Sequence, residues 1–140
     1  MATEELEALL VVQAHDTAID RLLHRRAALP ERTELASREA DRRARTETRN
    51  ADAAERDGVA AEERRLDLER AGLADHAAEV DRKLYSGSVT SPRELQAMQA
   101  DLEMLRRQLS EIEDRELEVM ERREAFDGVL AKHDAALADV

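Results

Sequence analysis

The sequence of 140 residues contains no cysteine and no tryptophan, and only one phenylalanine and one tyrosine. Without cysteine, this chain can form neither a disulfide nor a thiolate metal site. With aromatic residues at 1%, it lacks the large side chains that fill a globular core of this length. Its hydrophobic residues, 42% of the total, are largely Ala and Leu, which suit the packing of helix on helix. The composition therefore predicts an all-α protein.

Long apolar runs and turn-forming residues are also scarce. No apolar stretch approaches the roughly 18 residues that cross a bilayer, so no membrane partner is expected. Residues 1–6 are acidic and lack the basic start and apolar run of a signal peptide, which favours a cytoplasmic location. Two prolines and four glycines leave room for very long helices.

Charged residues make up 39% of the sequence, and the net charge is −11. Residues 32–84 hold 14 acids and 12 bases, whereas residues 99–140 hold 12 acids and 6 bases. Such a surface repels phosphate backbones, so this segment is not expected to bind nucleic acid. Basic partners are easier to accommodate.

Turn-forming residues gather in a single stretch, residues 85–91. Gly87 can adopt the positive φ that ends a helix. Ser91 is predicted to cap a new helix, with Pro92 at its first position and Glu94 completing a capping box. A helix end followed at once by a helix start predicts two antiparallel helices joined by this tip loop.

The predicted architecture is a single coiled-coil domain, residues 1–140, built as a long antiparallel helical hairpin with an additional N-terminal helix. The predicted segments are a helix over 3–28, a helix over 31–84, the tip loop 85–91 and a helix over 92–138. Pro30 interrupts the apolar pattern, so a kink or a tight turn is expected there. Apolar residues repeat every three and four positions along the last helix, which is typical of a coiled coil.

The two apolar patterns predict a register for the hairpin. It pairs Val80 with Met98, Leu73 with Leu105, Leu66 with Ile112, Val59 with Val119, Leu84 with Leu95 and Ala77 with Leu102. Beyond Val59 the same register places Asp52, Arg45 and Arg38 opposite Phe126, His133 and Val140. A phase change near Gly58, followed by a thin, alanine-lined stretch, is therefore expected.

The first helix carries a broad apolar stripe but has no partner in this register. Its Leu, Ile and Val residues are predicted to fold back onto the hairpin, to pair with another copy in a homodimer, or to meet residues beyond Val140.

The segment Leu84–Gln99, LYSGSVTSPRELQAMQ, resembles the tip of a bacterial family that combines a long kinked helical hairpin with a C-terminal four-cysteine zinc ribbon. Three further stretches resemble this family in the same order: Val12 and Gln13 with Asp16, Ile19 and Asp20; Leu29 to Arg32; and Ile112 to Asp114 followed by Leu117 to Glu121.

The resemblance implies a nucleic-acid-binding or regulatory role, linked in some members to flagellar gene expression through an alternative sigma factor or to secretion apparatus. A protein partner from the transcription or secretion machinery is thus expected. It also implies that the first helix continues the second across a kink at Pro30, beside a longer third helix. The two Cys-x-x-Cys pairs of the ribbon are absent from this sequence, so the zinc-ribbon domain expected after residue 140 is missing. No cofactor and no metal ligand are expected in this chain.

Other candidate sites have simpler structural explanations. His76 and Glu79 share a helix face, as in bundle metal sites, but lack matching carboxylates on a facing helix. His15 with Asp16 and His133 with Asp134 are neighbours on different helix faces and cannot act as dyads. The basic run of Arg42, Arg43, Arg45 and Arg49 is interleaved with acids, which favours ion pairs over a nucleic-acid patch. Met98, Met104 and Met120 could form an adaptable groove, although Met98 is predicted in the core.

The tip is the predicted partner-binding site, and the function predicted is that of a non-enzymatic interaction module. Tyr85 either caps the hairpin core or anchors a partner beside Val89. The predicted binding residues are Tyr85, Ser86, Gly87, Val89, Thr90, Pro92 and Glu94. The alternative function is a self-associating structural coiled coil that acts as a spacer. No catalytic set of residues is recognisable.

Overall fold

The computed structural model describes residues 2–139, and within this range the regular secondary structure is entirely helical, without a strand. Helix α1 spans Ala2–Ala27, α2 spans Pro30–Tyr85 and α3 spans Pro92–Ala138. The predicted fold class is confirmed: a long antiparallel helical hairpin with an N-terminal helix kinked at Pro30. The chain divides into two compact units, one with the residues up to Arg45 and the other Thr46–Asp139.

In the first unit, the helix is interrupted for two residues before Pro30. The N–H of Ala28 donates to the carbonyl of His24 at 3.0 Å, which completes the last turn of α1. Pro30 has no N–H to donate and opens α2, where a first-turn residue needs no helical partner. The N–H of Arg32 then donates to the carbonyl of Leu29 at 3.1 Å. The interruption is therefore a bend between two helices.

The second unit is the hairpin formed by α2 from Thr46 onward and by α3. Its core is small and entirely aliphatic, with Leu66 completely buried. The buried residues are Val59, Ala60, Leu66 and Ala77 on α2, and Leu102, Leu105, Ile112 and Val119 on α3. Six of these eight residues form two clusters, as expected for two helices that share a single apolar strip: Val59, Leu66 and Val119 in one, and Ala77, Leu102 and Leu105 in the other.

The register of the hairpin differs from the predicted one by a full heptad. His133 Nε2 lies 2.7 Å from Asp52 Oδ2, whereas the predicted register places Asp52 opposite Phe126. Glu63 pairs with Arg123 at 2.7 Å and Arg70 with Glu116 at 3.1 Å, in the same offset. The predicted pairing of α2 with α3 is therefore wrong by seven residues.

Charged side chains between the two helices explain why the observed register forms in place of the predicted one. The apolar residues recur every seven positions on both helices, so a slide of one heptad again brings apolar residues together. We define the charged row as Arg56, Glu63 and Arg70 of α2 with Glu116 and Arg123 of α3. In the predicted register Glu63 would face Glu116 and Arg56 would face Arg123, both repulsive pairs. In the observed register, opposite charges meet.

The observed register also continues past Gly58. Phe126 packs against the cluster that contains Val59, and Arg49 Nε lies 2.9 Å from Asp134 Oδ1. The predicted phase change near Gly58 is therefore wrong, because a shifted register supplies partners where the predicted one did not. From Thr46 to Gly58 no residue is buried, and the cross-helix ion pairs of this stretch are those of Arg49 with Asp134, Asp52 with His133 and Arg56 with Asp127. The predicted pairing of Arg38 with Val140 lies outside the described residues.

Candidate interaction surfaces

The tip loop begins with a hydrogen-bonded cap on α2. The N–H and the Oγ of Ser86 both donate to the carbonyl of Lys83, at 3.3 and 2.8 Å. The N–H of Ser88 donates to the Oγ of Ser86 at 3.2 Å. Between them, Gly87 adopts a φ of 74°, which confirms the predicted left-handed helix end. These bonds give the start of the loop a defined conformation.

The other end of the loop starts α3 without the predicted capping box. Ser91 has an extended backbone, with φ −74° and ψ 120°, and Pro92 occupies the first turn as predicted. However, the side chain of Ser91 makes no capping hydrogen bond. Arg93 and Glu94 are exposed, so water can satisfy their N–H groups instead. The capping-box prediction is wrong in this detail, and only the position of the helix start is right.

Tyr85 stands at the end of α2 with 78% of its surface exposed. Of the two alternatives for this ring, capping of the hairpin core is therefore excluded. The other predicted binding residues are also exposed, except Val89, which is half-buried. No residue from Leu84 to Pro92 is charged, in a chain with 39% charged residues. We call Tyr85, Ser86, Gly87, Val89, Thr90, Pro92 and Glu94 the tip surface.

The register places the start of α3 beyond the end of α2. Arg106 reaches Asp81 at 3.6 Å, and Leu84 packs against the cluster that contains Leu102. Because α2 ends at Tyr85, the first two turns of α3 have no facing turn of α2. Their apolar residues Leu95 and Met98 are half-buried. The tip is thus an overhang of α3 accompanied by the loop.

A shallow groove of about 480 Å³ runs along the charged row. Its lining residues are Arg56, Ala60, Glu63, Arg64, Asp67, Arg70, Glu116, Met120 and Arg123. The hydrogen bond from Arg56 to Asp127 raises the pKa of Arg56, and bonds to Asp67 and Glu116 raise the pKa of Arg70. Arginine is charged at neutral pH in any case, and these bonds stabilise the charged form further. Sequence reasoning missed this row, although the seven-residue spacing of Arg49, Arg56, Glu63 and Arg70 was a usable signal.

The apolar residues of α1 are all exposed, by 47–67% of their surface. They are Leu6, Leu9, Leu10, Val11, Val12, Ile19, Leu22 and Leu23. Among the described residues, none of α1 is buried. Eight large apolar side chains on one helix exceed what a monomeric protein normally leaves in water, so this helix is a second candidate interaction surface.

The remaining candidates do not form sites. His76 and Glu79 are exposed, and residues 2–139 contain no group of three or more metal-ligating side chains close enough to hold an ion. His133 pairs with Asp52, while its neighbour Asp134 pairs with Arg49 at 2.9 Å. These two side chains therefore serve different partners and form no dyad, as predicted.

The basic run and the methionines are also dispersed. Arg45 Nε lies 2.9 Å from Asp41 Oδ2, one turn away on α2, which agrees with the predicted ion pairs. Met98 is half-buried near the tip, Met104 is exposed, and Met120 lines the groove along the charged row. The three methionines thus share no common groove.

The sequence matches a family model described as the CT398-like coiled coil hairpin domain, over residues 12–140. The match covers the bend, both arms of the hairpin and the tip. The chain belongs to this family. No curated protein and no solved structure matches the chain. The CT398-like hairpin is a typically non-catalytic fold, consistent with a structural or interaction module. None of the described helices has a stretch long and apolar enough to span a membrane.

Proposed function

We propose that this hairpin is a non-enzymatic interaction module that presents its tip surface to a protein partner. The observation that carries the proposal is the exposure of Tyr85, at 78%, at the end of α2 and beside a conformationally defined loop. Exposed tyrosines are frequent anchors of protein interfaces, because the ring buries a large area with few rotatable bonds. The stretch from Leu84 to Pro92, which is uncharged, also differs from the highly charged arms, whose net negative charge repels other acidic surfaces.

The resemblance of the tip segment to ribbon-bearing bacterial proteins supports a more specific role and partner. By that analogy, the module is regulatory and its partner belongs to the transcription or secretion machinery. In those proteins a nucleic-acid-binding zinc ribbon accompanies the hairpin. In this chain the hairpin would supply the protein contact, and nucleic acid would be bound elsewhere.

The experiment compares two exposed positions on the same helix. A photo-crosslinking amino acid replaces Tyr85 in one variant and Leu68, which is 74% exposed, in the other. In cells, the position-85 variant should form a discrete adduct with one partner, and the position-68 variant should not. Competition by unlabelled wild-type protein, but not by Tyr85→Ala, would assign that adduct to the tip. Equal labelling from both positions would contradict docking at the tip.

A second candidate function is self-association through α1. Glu4 and Glu5 lie in its first turn, and Arg25 and Arg26 lie in its last turn. An antiparallel second copy would bring these acids to the bases while covering the exposed apolar residues. For this second function, we infer that the α1 helix of a second copy covers the apolar surface of α1, which makes the protein a homodimer.

Light scattering over a range of concentrations tests the homodimer. The wild type should show twice the mass of the chain, and Val12→Glu with Ile19→Glu should show a single chain. Leu68→Glu is the matched control, since it changes an even more exposed apolar residue outside α1. A monomer at every concentration would contradict the spacer function and leave the tip proposal unaffected.

A further inference from the structure

The hairpin has two registers, one heptad apart, that satisfy its apolar residues. Sliding α3 by seven residues would move Leu66 from Val119 to Ile112, and Leu73 from Ile112 to Leu105. Between Val59 and Val80 each apolar residue exchanges one apolar neighbour for another. Phe126 would lose Val59 and face Asp52, whereas Leu95 and Met98 would gain Leu84 and Val80, so the buried apolar area changes little. The apolar residues therefore do not choose between the two registers.

Two outer ion pairs choose only weakly, whereas the Asp52–His133 pair forms only in the observed register. Glu62 now meets Arg122 at 3.5 Å and would meet Arg115 after the slide. Arg49 now meets Asp134 at 2.9 Å and would meet Asp127. Both residues thus keep a partner of opposite charge in either register, and exposed pairs of this kind contribute little in any case.

The tip loop also allows both registers. In the observed register, the loop must rise by one heptad of helix, about 10 Å, as it crosses from α2 to α3. A loop of six residues spans up to about 20 Å when extended. The same loop would close without that rise in the other register, so its length does not decide the pairing.

The charged row discriminates strongly between the two registers. Glu63 and Arg70 meet opposite charges in the observed register, at 2.7 and 3.1 Å. After the slide, Glu63 would face Glu116, Arg56 would face Arg123, and Arg70 would face an apolar residue. These side chains are partly shielded from water by the groove, with Glu116 only 16% exposed, so their charges are incompletely screened.

We propose that the hairpin is a two-register device, in which the charged row holds α3 in the register that leaves its first two turns as an overhang. In the second register Leu84 faces Leu95 and Val80 faces Met98, so α2 covers the apolar residues of the overhang. Leu95 and Met98 are half-buried in the observed register, so the slide would cover the part of their surface that is still exposed. The pairing of α2 with α3 therefore controls how much apolar surface the tip offers. Only this consequence for docking rests on the proposed function, because the register is independent of any partner.

The test exchanges two charges on α3. In Glu116→Arg with Arg123→Glu, the observed register has two repulsive pairs and the second register has two attractive ones, at unchanged net charge. Spin labels on Ala71→Cys and Ala131→Cys report the register, and the chain has no other cysteine to label. Both positions are exposed and far apart along the stem. The label distance should increase by about 10 Å, one heptad of helix rise, in the main population.

Two further variants complete the test. Adding Glu63→Arg and Arg70→Glu to the exchanged protein should restore the wild-type distance. The neutral variant, Glu116→Gln with Arg123→Gln, should show both label distances, because its charged row no longer distinguishes the two registers. If the exchanged variant loses its helical circular dichroism, it has not folded, and the label distances of the neutral variant test the proposal instead. A single wild-type distance in either folded variant would overturn the proposal.

Discussion

His133 Nε2 lies 2.7 Å from Asp52 Oδ2, across two helices and 81 positions of sequence. This pair occupies a position where a coiled coil usually has apolar residues, one heptad beyond Phe126 and Val59. It extends the register of the apolar clusters into a stretch that has no buried residue of its own. Polar pairs thus continue the register of the two helices past the last buried apolar residues.

The first prediction concerns the centre of the hairpin core. Leu66→Ala removes a completely buried side chain that packs in one cluster with Val59 and Val119. The free energy of unfolding should fall by about 2–4 kcal/mol, from lost apolar burial and the cavity left behind. Urea denaturation followed by circular dichroism measures this change. Leu68→Ala, two residues away but 74% exposed, should change it by less than about 0.5 kcal/mol. Equal losses would show that Leu66 is not in the core.

The second prediction compares two glycines. Gly87→Ala places a side chain at a φ of 74°, which should lower the free energy of unfolding by about 1 kcal/mol. An added Cβ at this position meets no atom within 4 Å, so the loss comes from the backbone alone. Gly72→Ala, within α2 and also free of contacts, should raise it by about 0.5–1 kcal/mol. Thermal melts of both variants should therefore shift in opposite directions. A shift in the same direction would argue against the left-handed turn.

The third prediction concerns the cap of α2. Ser86→Ala removes the hydroxyl that bonds the carbonyl of Lys83 and the N–H of Ser88. The loss should be about 0.5–1.5 kcal/mol, the usual net value of such bonds at an exposed site. Ser91→Ala should cost less, because the Ser91 side chain makes no capping bond. Unfolding curves of the two variants measure the difference. A larger loss of unfolding free energy for Ser91→Ala would indicate that Ser91 does cap α3, as the capping-box prediction required.

The fourth prediction concerns the charged row. Arg70→Gln removes the partner of Glu116, whose side chain is mostly buried between the helices. The melting temperature should fall, because a carboxylate left without its cation is costly to keep away from water. Arg38→Gln breaks an exposed pair with Glu34 inside one helix and should have almost no effect. A double-mutant cycle of Arg70→Gln and Glu116→Gln isolates the pair from changes in helix propensity. A coupling free energy of zero would show that the Arg70–Glu116 pair does not stabilise the hairpin.

Local chemistry made most of the helical architecture predictable from the sequence alone. Gly87 and Pro92 mark the tip, since one tolerates a positive φ and the other cannot continue a preceding helix. Pro30 marks the bend for the same reason, and alternating three- and four-residue steps mark α3 as one partner of a coiled coil. Each of these signals acts within a few residues, so no knowledge of distant contacts is needed.

Tertiary structure alone decided the register and the exposure of the tip. An apolar repeat of seven residues matches itself after a slide of seven, so its pattern cannot specify the offset between two helices. That offset depends on whether Glu63 meets Glu116 or Arg123, a contact between residues 53 or 60 positions apart. The surroundings of Tyr85 follow from the same offset, because it determines which turns of α3 extend past the end of α2.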